Sequence, residues 1–323
     1  MAIYQSNWNT ETSRNNELEQ YLMTIADRFS GHESFVCRYG WLPKAYQAVS
    51  VTPDLLKDEE RAMHTLGIGR NMLKSLQFWC EATGVLVPTT GHGHQPGPVG
   101  RKLLDPKRGW DQHLESLESL WLLHWRLCTR AALAAWSEVF GEGRLVRFDR
   151  QRLITALAQR AAVSARPLAT STLEQHAAIF LQSYYQAERN GDDTSWCPLQ
   201  DLALLRAAKE EDGRIVFNTG LRTPIGLSQR VFAIALIEFV ASCEKGLSSV
   251  DFHRLLKGAG SPGAVFRLDE FQLRAFVENL AQGPLRDALR FVDTSDTQSV
   301  VLQRNRIDPY YLLETQEEAP IHA

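Results

Sequence analysis

The sequence has no cysteine motif. Its five cysteines, Cys37, Cys80, Cys128, Cys197 and Cys243, are scattered, odd in number and without a C-x-x-C pair, which argues against a disulfide framework or a cysteine-rich zinc site. Each is expected to be a buried small hydrophobe in a reducing compartment. A long apolar run is also missing: the most apolar stretch, "VFAIALIEFVAS", is short and carries Glu238, and "MAIYQSNWNTETSRNN" has no basic flank leading into hydrophobics. The expectation is a cytoplasmic protein without membrane spans. Positive charge is not in excess, since 35 Lys and Arg face 38 Asp and Glu for a net charge of −3. A polyanion partner does not follow from that total, so a nucleic-acid signal has to come from local clustering. What the 323 residues do contain, 44% hydrophobic and 23% charged, is the composition of an ordinary globular chain.

Nucleotide-binding loops are absent as well. "LGIGRNMLKSLQFWCEATGVL" begins with two close glycines, but the Walker spacing and its Lys-Ser/Thr pair are not there. A dinucleotide fingerprint needs glycine where Met72 stands and a strand where the pattern before Gly67 is helical. The same stretch suits a helix-turn-helix. Ala62, Met63 and Leu66 give a first helix its inner face, Gly67 fits a left-handed C-cap, and Ile68 plugs the angle between the helices. Met72, Leu73, Leu76, Trp79 and Cys80 then point inward on a second helix, while Arg70, Lys74, Gln77 and Glu81 form a mostly basic and amide-bearing outer row, and Arg70, Asn71, Lys74 and Gln77 are types that contact bases and phosphates. Residues 61–110 hold seven Lys or Arg against two acids. Arg101 and Lys102 follow where a wing would touch backbone phosphate. The bland alternative is a helical hairpin with a solvated face.

Along the chain, a helix is expected from about Pro43, with Leu42, Ala45, Tyr46 and Val49 inside. "GHGHQPGPVGRKLLDPKRG" reads as a loop, and residues 111–140 as a long helical region with a stripe of Leu114, Leu117, Leu120, Trp121, Leu123 and His124. The middle offers "QRLITALAQRAAV", a Ser/Thr-capped helix "TSTLEQHAAIFLQSYYQ", and a helix running into one strand over "CPLQDLALLRAAKEEDGRIVFNTG". The last block ends in a hairpin around residues 294–297. The fold class expected is mainly α, with winged-helix or helix-turn-helix modules and small β wings. The expected domains are 1–130 (an N-terminal segment and a winged helix-turn-helix), 131–226 (a helical middle) and 227–323 (winged-helix-like).

Taken in order, "FSGHESFVCRYGWLPKAY", "LGIGRNMLKSLQFWCEATGVL", "LESLWLLHWRL", "STLEQHAAIFLQSYY", "CPLQDLAL" and "SPGAVFRLDEFQL" resemble a bacterial family catalogued as a domain of unknown function. That family occurs in DNA phosphorothioation and phage-defence neighbourhoods and is similar to SspB-type DNA nickases. The sequence departs at "DQHLE", where the family pattern carries Asp-Pro-Tyr-Leu-Glu. The resemblance implies a cytoplasmic component acting on double-stranded DNA beside a cysteine desulfurase, an ATP-using sulfur-transfer enzyme and an ATPase.

No nuclease constellation is evident in the residues themselves. The best cluster for phosphodiester chemistry is "GHESFVCRYGW", with His32 as acid or base, Glu33 as metal ligand or base partner and Arg38 as phosphate clamp, and Mg2+ or Mn2+ as the cofactor if it cuts. The competing reading pairs Glu33 with Arg38, lets His32 cap the following turn and puts Phe35, Tyr39 and Trp41 in an interdomain core. His92 and His94 are only two ligands in a Gly/Pro loop, His124 reads as a satisfied core histidine, and Asp111 with Glu115 marks a helix start. Three functions remain open: a DNA-binding component, with or without nicking, a non-catalytic recognition or scaffold subunit, and a winged-helix transcriptional regulator.

Overall fold

In the computed structural model, which describes residues 27–91, 93–162, 167–185, 196–221, 223–243, 249–294 and 297–303, left-handed Gly40 turns the chain into Trp41–Val51 (α1). Leu42, Ala45, Tyr46 and Val49 are buried there as expected. Glu59–Leu66 (α2) starts at Asp58, whose carboxylate accepts the Arg61 amide at 3.0 Å, and stops at Gly67 with φ 61°. Arg70–Thr83 (α3) follows and ends at Gly84, again left-handed. Leu86–Pro88 (β1) and His94–Pro96 (β2) then pair antiparallel.

The expected loop over 91–109 is instead β2 and a helix, Pro98–Leu104 (α4). Pro98 occupies a first-turn position, and the glycines serve close approach: a Cβ on Gly97 would run into the Gly84 carbonyl, and one on Gly100 into that of Val85. The long helical region is likewise broken. Leu117–Thr129 (α5), capped by Ser116, is separated by left-handed Ala132 (φ 54°) from Ala134–Trp136 (α6), which runs into a π turn over residues 137–141.

The middle contains Arg147–Asp149 (β3), Arg150–Ala161 (α7), Thr170–Tyr184 (α8), a 3-10 turn, Arg206–Lys209 (β4) and Ile215–Asn218 (β5). Residues 197–220 were expected as a helix and one strand; they form the 3-10 turn and a hairpin, because Gly213 (φ 84°) reverses the chain inside "KEEDGR". The residue before α8 is Ala169 without a side-chain cap, rather than Ser or Thr. The last part runs Gln229–Ser242 (α9), Ser249–Asp251 (β6), Phe252–Lys257 (α10), Pro262–Val265 (α11), Glu270–Gln282 (α12), Leu289–Asp293 (β7) and Gln298–Leu302 (β8). The expected hairpin is present, with Asp293 opposite Gln298. Both three-stranded sheets share one plan: a leading strand, helices, then a hairpin whose second strand pairs with the leader, in the orders β3-β5-β4 and β6-β8-β7.

The fold is mainly helical with small antiparallel sheets, built on one continuous core of Trp79, Trp121, Trp125, Trp136, Phe140 and Phe180. Polar ties cross that core. Glu238 of α9 accepts from Trp125 Nε1 at 2.8 Å and Arg126 at 3.0 Å, and Arg267 donates to the Val139 carbonyl and Thr219 Oγ1 at 2.7 and 2.6 Å. Among the described residues no helix is long and apolar enough to cross a membrane.

Candidate nucleic-acid interface

α3 has two unlike faces. Leu73, Ser75, Leu76, Phe78, Trp79 and Cys80 are buried, whereas Arg70, Asn71 and Lys74 are exposed. Every turn therefore puts one face of the helix in the core and leaves a basic, amide-bearing row outside. Arg70 pairs with Glu59 of α2 at 3.2 Å, while Asn71 and Lys74 have no side-chain partner among the described residues. Gln77 differs from the expected row: it is half-buried and donates to the Leu56 carbonyl at 3.2 Å, tying α3 to the turn before α2. Arg101 and Lys102 lie on α4 and not on the hairpin, with Arg101 donating to the Pro96 carbonyl. The hairpin is pinned to α3 by His94, whose Nε2 meets Glu81 at 2.8 Å. His94 is thus engaged, and His92 lies outside the described residues.

The loop over residues 31–39 packs against the flank of α3. Ser75 Oγ donates to the His32 carbonyl at 2.9 Å, and Trp79 Nε1 to that of Phe35 at 3.1 Å. From the other side, Gln175 of α8 donates to the Glu33 carbonyl at 2.7 Å and to Ser34 Oγ at 2.8 Å. His32 is 1% exposed and belongs to a buried relay. The Ala135 amide donates to His176 Nε2 at 3.1 Å, which places the His176 proton on Nδ1. That nitrogen then donates to His32 Nε2 at 3.0 Å, and His32 Nδ1 donates to the Glu33 carbonyl at 2.8 Å. Both rings are neutral in this arrangement. Burial lowers the His32 pKa against the opposing pull of the Glu33 carbonyl, and lowers that of His176 to about 3 with help from neighbouring His32.

Glu33 and Arg38 do not pair. Glu33 takes φ 51°, uncommon for a residue with a side chain, and its carboxylate has no hydrogen bond or ion pair among the described residues. The Arg38 guanidinium lies over Phe35 at 5.3 Å and Trp41 at 5.5 Å, also without a carboxylate partner there. Trp41 is buried, Phe35 is half-buried, and Tyr39 is 42% exposed and stacked on Trp196 at 5.6 Å. So the loop presents a carboxylate and a guanidinium, both half-buried and unpaired among the described residues, above a buried base.

Other candidates fall to structural roles. His124 bonds Tyr184 Oη at 2.7 Å and the Val265 carbonyl at 3.0 Å, with burial lowering its pKa to about 4. Asp111 accepts the Glu115 and Ser116 amides at 3.0 Å in the turn ahead of α5, whose cap is Ser116, so Asp111 and Glu115 precede the helix and do not share its first turn as expected. All five thiols are buried, and burial pushes Cys37, Cys80 and Cys128 well up and Cys197 up to about 12. Sequence reasoning missed His176 and Gln175, which lie some 140 residues from the loop they hold, and also Arg28, whose guanidinium lies 4.6 Å over Phe78. A basic residue just ahead of "FSGHESF" was the only local signal for Arg28.

Residues 29–315 match the family described as "Protein of unknown function (DUF4007)". The chain belongs to that family. Two solved structures are similar to this DUF4007 member over most of both chains. One, titled "Magnesium ion-bound SspB crystal structure", has a TM-score of 0.76 and 26% identity, covering 88% of this chain and 84% of its own. The other, titled "SspB crystal structure", has a TM-score of 0.77 and 25% identity, covering 91% of this chain and 87% of its own. No curated protein matches the DUF4007 chain.

Proposed function

We propose that this protein is a DNA-binding component of a bacterial DNA phosphorothioation and phage-defence system, in which α2, α3 and the β1–β2 hairpin act as a winged helix-turn-helix. The observation that carries this is the outer face of α3, where Arg70, Asn71 and Lys74 stand exposed on a helix whose other face is locked in the core. Arg101 and Lys102 on α4 and Gln77 on α3 flank this face and act as secondary contacts. The likeness to SspB over most of the chain supports the same system, and with it a cysteine desulfurase, a sulfur-transfer enzyme that uses ATP, and an ATPase as partners. The boundaries 1–130, 131–226 and 227–323 are our division of the chain into a DNA-facing unit and two that follow it.

In the nicking form of this reading, Glu33 supplies one carboxylate to Mg2+ or Mn2+ and Arg38 clamps the scissile phosphate. No group of three or more His, Cys, Asp or Glu among the described residues is arranged to hold a metal, so water and DNA phosphate would complete the ion's shell, as suits Mg2+. The ion would stabilise charge on the phosphoryl oxygens. His32 holds the loop in place, because neither ring nitrogen is open to substrate. That burial also favours a second reading, in which the protein recognises DNA and partners do the cutting.

Gel shifts and plasmid nicking with Mg2+, Mn2+ or EDTA separate these. Arg70→Glu with Lys74→Glu is expected to abolish duplex binding with the fold intact; retained affinity would sink the assignment of α3. Open-circle product that disappears in Glu33→Gln, with binding kept, makes the loop a cutting site. Binding without product under every condition makes the protein a recognition subunit.

A further inference from the structure

We propose that Arg28 is a DNA phosphate ligand, held beside the reading helix by the Phe78 ring and the Gly31 backbone; this rests on α3 being the DNA-facing helix. Phe78 follows Lys74 by four residues, so it lies next to it along the helix, about 6 Å further on, with its ring buried where Lys74 is exposed. The Arg28 guanidinium lies 4.6 Å over that ring, an arrangement that orients the cation while leaving its N–H edge available. The row of positive charge thus continues from Arg70 and Lys74 to a residue outside the helix.

The position is built. Arg28 donates its amide to the Ala132 carbonyl at 2.7 Å and accepts the Ala134 amide at 3.1 Å, which fixes its backbone against the segment leading into α6. Gly31, at φ 106°, makes room for the stack: a Cβ there would stand 2.7 Å from the Phe78 ring and 3.4 Å from Arg28 Nη2. The side chain is half-buried, and its charge is unpaired among the described residues. Asp27, the acid next in the chain, is taken by Arg160 through two hydrogen bonds of 2.5 and 3.1 Å, and no carboxylate among the described residues pairs with Arg28. An arginine kept from its neighbouring acid and stacked on a residue of a basic helix is the pattern of a phosphate contact, which fixes register on the duplex without reading sequence.

The test is the salt dependence of binding to a random-sequence duplex, for the full chain and for Arg28→Met, Arg28→Gln and Arg28→Lys. Each phosphate contact contributes about 0.9 to the slope of log K against log salt. Both neutral variants are expected to flatten the slope by about that amount and to weaken binding roughly three- to tenfold at low salt, while Arg28→Lys keeps the slope. Two neutral variants of different shape guard against one that fails to fold, and unchanged thermal midpoints identify the ones to compare. Wild-type slopes in folded neutral variants, with Arg70→Glu/Lys74→Glu still abolishing binding, overturn the role of Arg28 and leave α3 as the DNA face. Unchanged binding by that double variant, or no binding by the wild type, removes the DNA face and this contact with it.

Discussion

His32 and His176 share one proton on the line between them, and the donor at one end and the acceptor at the other decide what each can do. With the Ala135 amide at one end and the Glu33 carbonyl at the other, both rings are neutral and fully used. Replacing His176 with Ala leaves the Ala135 amide and His32 Nε2 buried without partners, each at a cost of about 1–3 kcal/mol. The expected outcome is a protein destabilised by roughly 2–5 kcal/mol in urea titrations, with a rescue of at least half by Asn, whose amide can stand in for Nδ1–H. It follows that lost DNA activity in a His32→Ala variant does not by itself identify an acid or base. Its thermal midpoint must be compared first, because the ring holds the loop that carries Glu33 and Arg38.

The elements differ in how far the sequence alone describes them. α1, α2 and α3 were legible because each has a periodic apolar face and a glycine or aspartate at its ends, signals that act within a few residues. So were the buried state of His124 and the final hairpin. α4 was not, since Gly97, Pro98 and Gly100 read locally as loop formers, while in the fold they let the helix press against the Gly84 and Val85 carbonyls. Of the site, the exposed row of α3 was legible apart from Gln77, whose carbonyl partner comes from another element. The partners His176 and Gln175 were not, because contact across some 140 residues leaves no spacing pattern. The α4 interpretation makes its own prediction. Gly100→Ala should not stabilise the helix, as it would at an exposed site, but cost about 1–3 kcal/mol through overpacking. A rise in thermal midpoint for that variant would show that the close approach is not needed.

Among the described residues, three of the four buried histidines lie where parts distant in sequence meet. His32 and His176 join the loop before α1 to α8, and His124 of α5 bonds both Tyr184 of α8 and the Val265 carbonyl of α11. Burial depresses all three pKa values, to about 4 for His124 and about 3 for His176. In the unfolded chain the same rings take up protons below pH ~6.5. The unfolded state therefore binds more protons between that pH and the folded values, so the stability they contribute is full above ~6.5 and is lost as pH falls. Each ring adds a slope approaching 1.4 kcal/mol per pH unit, against a total stability of about 5–15 kcal/mol for a typical domain. Urea unfolding at pH 7.5, 6.5, 5.5 and 5.0 should show a steep fall below 6.5, and His124→Gln should remove about one proton from the slope. Because these contacts and the continuous core link the described parts of the chain, the loss should appear as one transition with coincident fluorescence and circular dichroism. A flat profile down to pH 5 would mean that the rings are hydrated in solution, and separate transitions would mean that the ties across the core do not couple its parts.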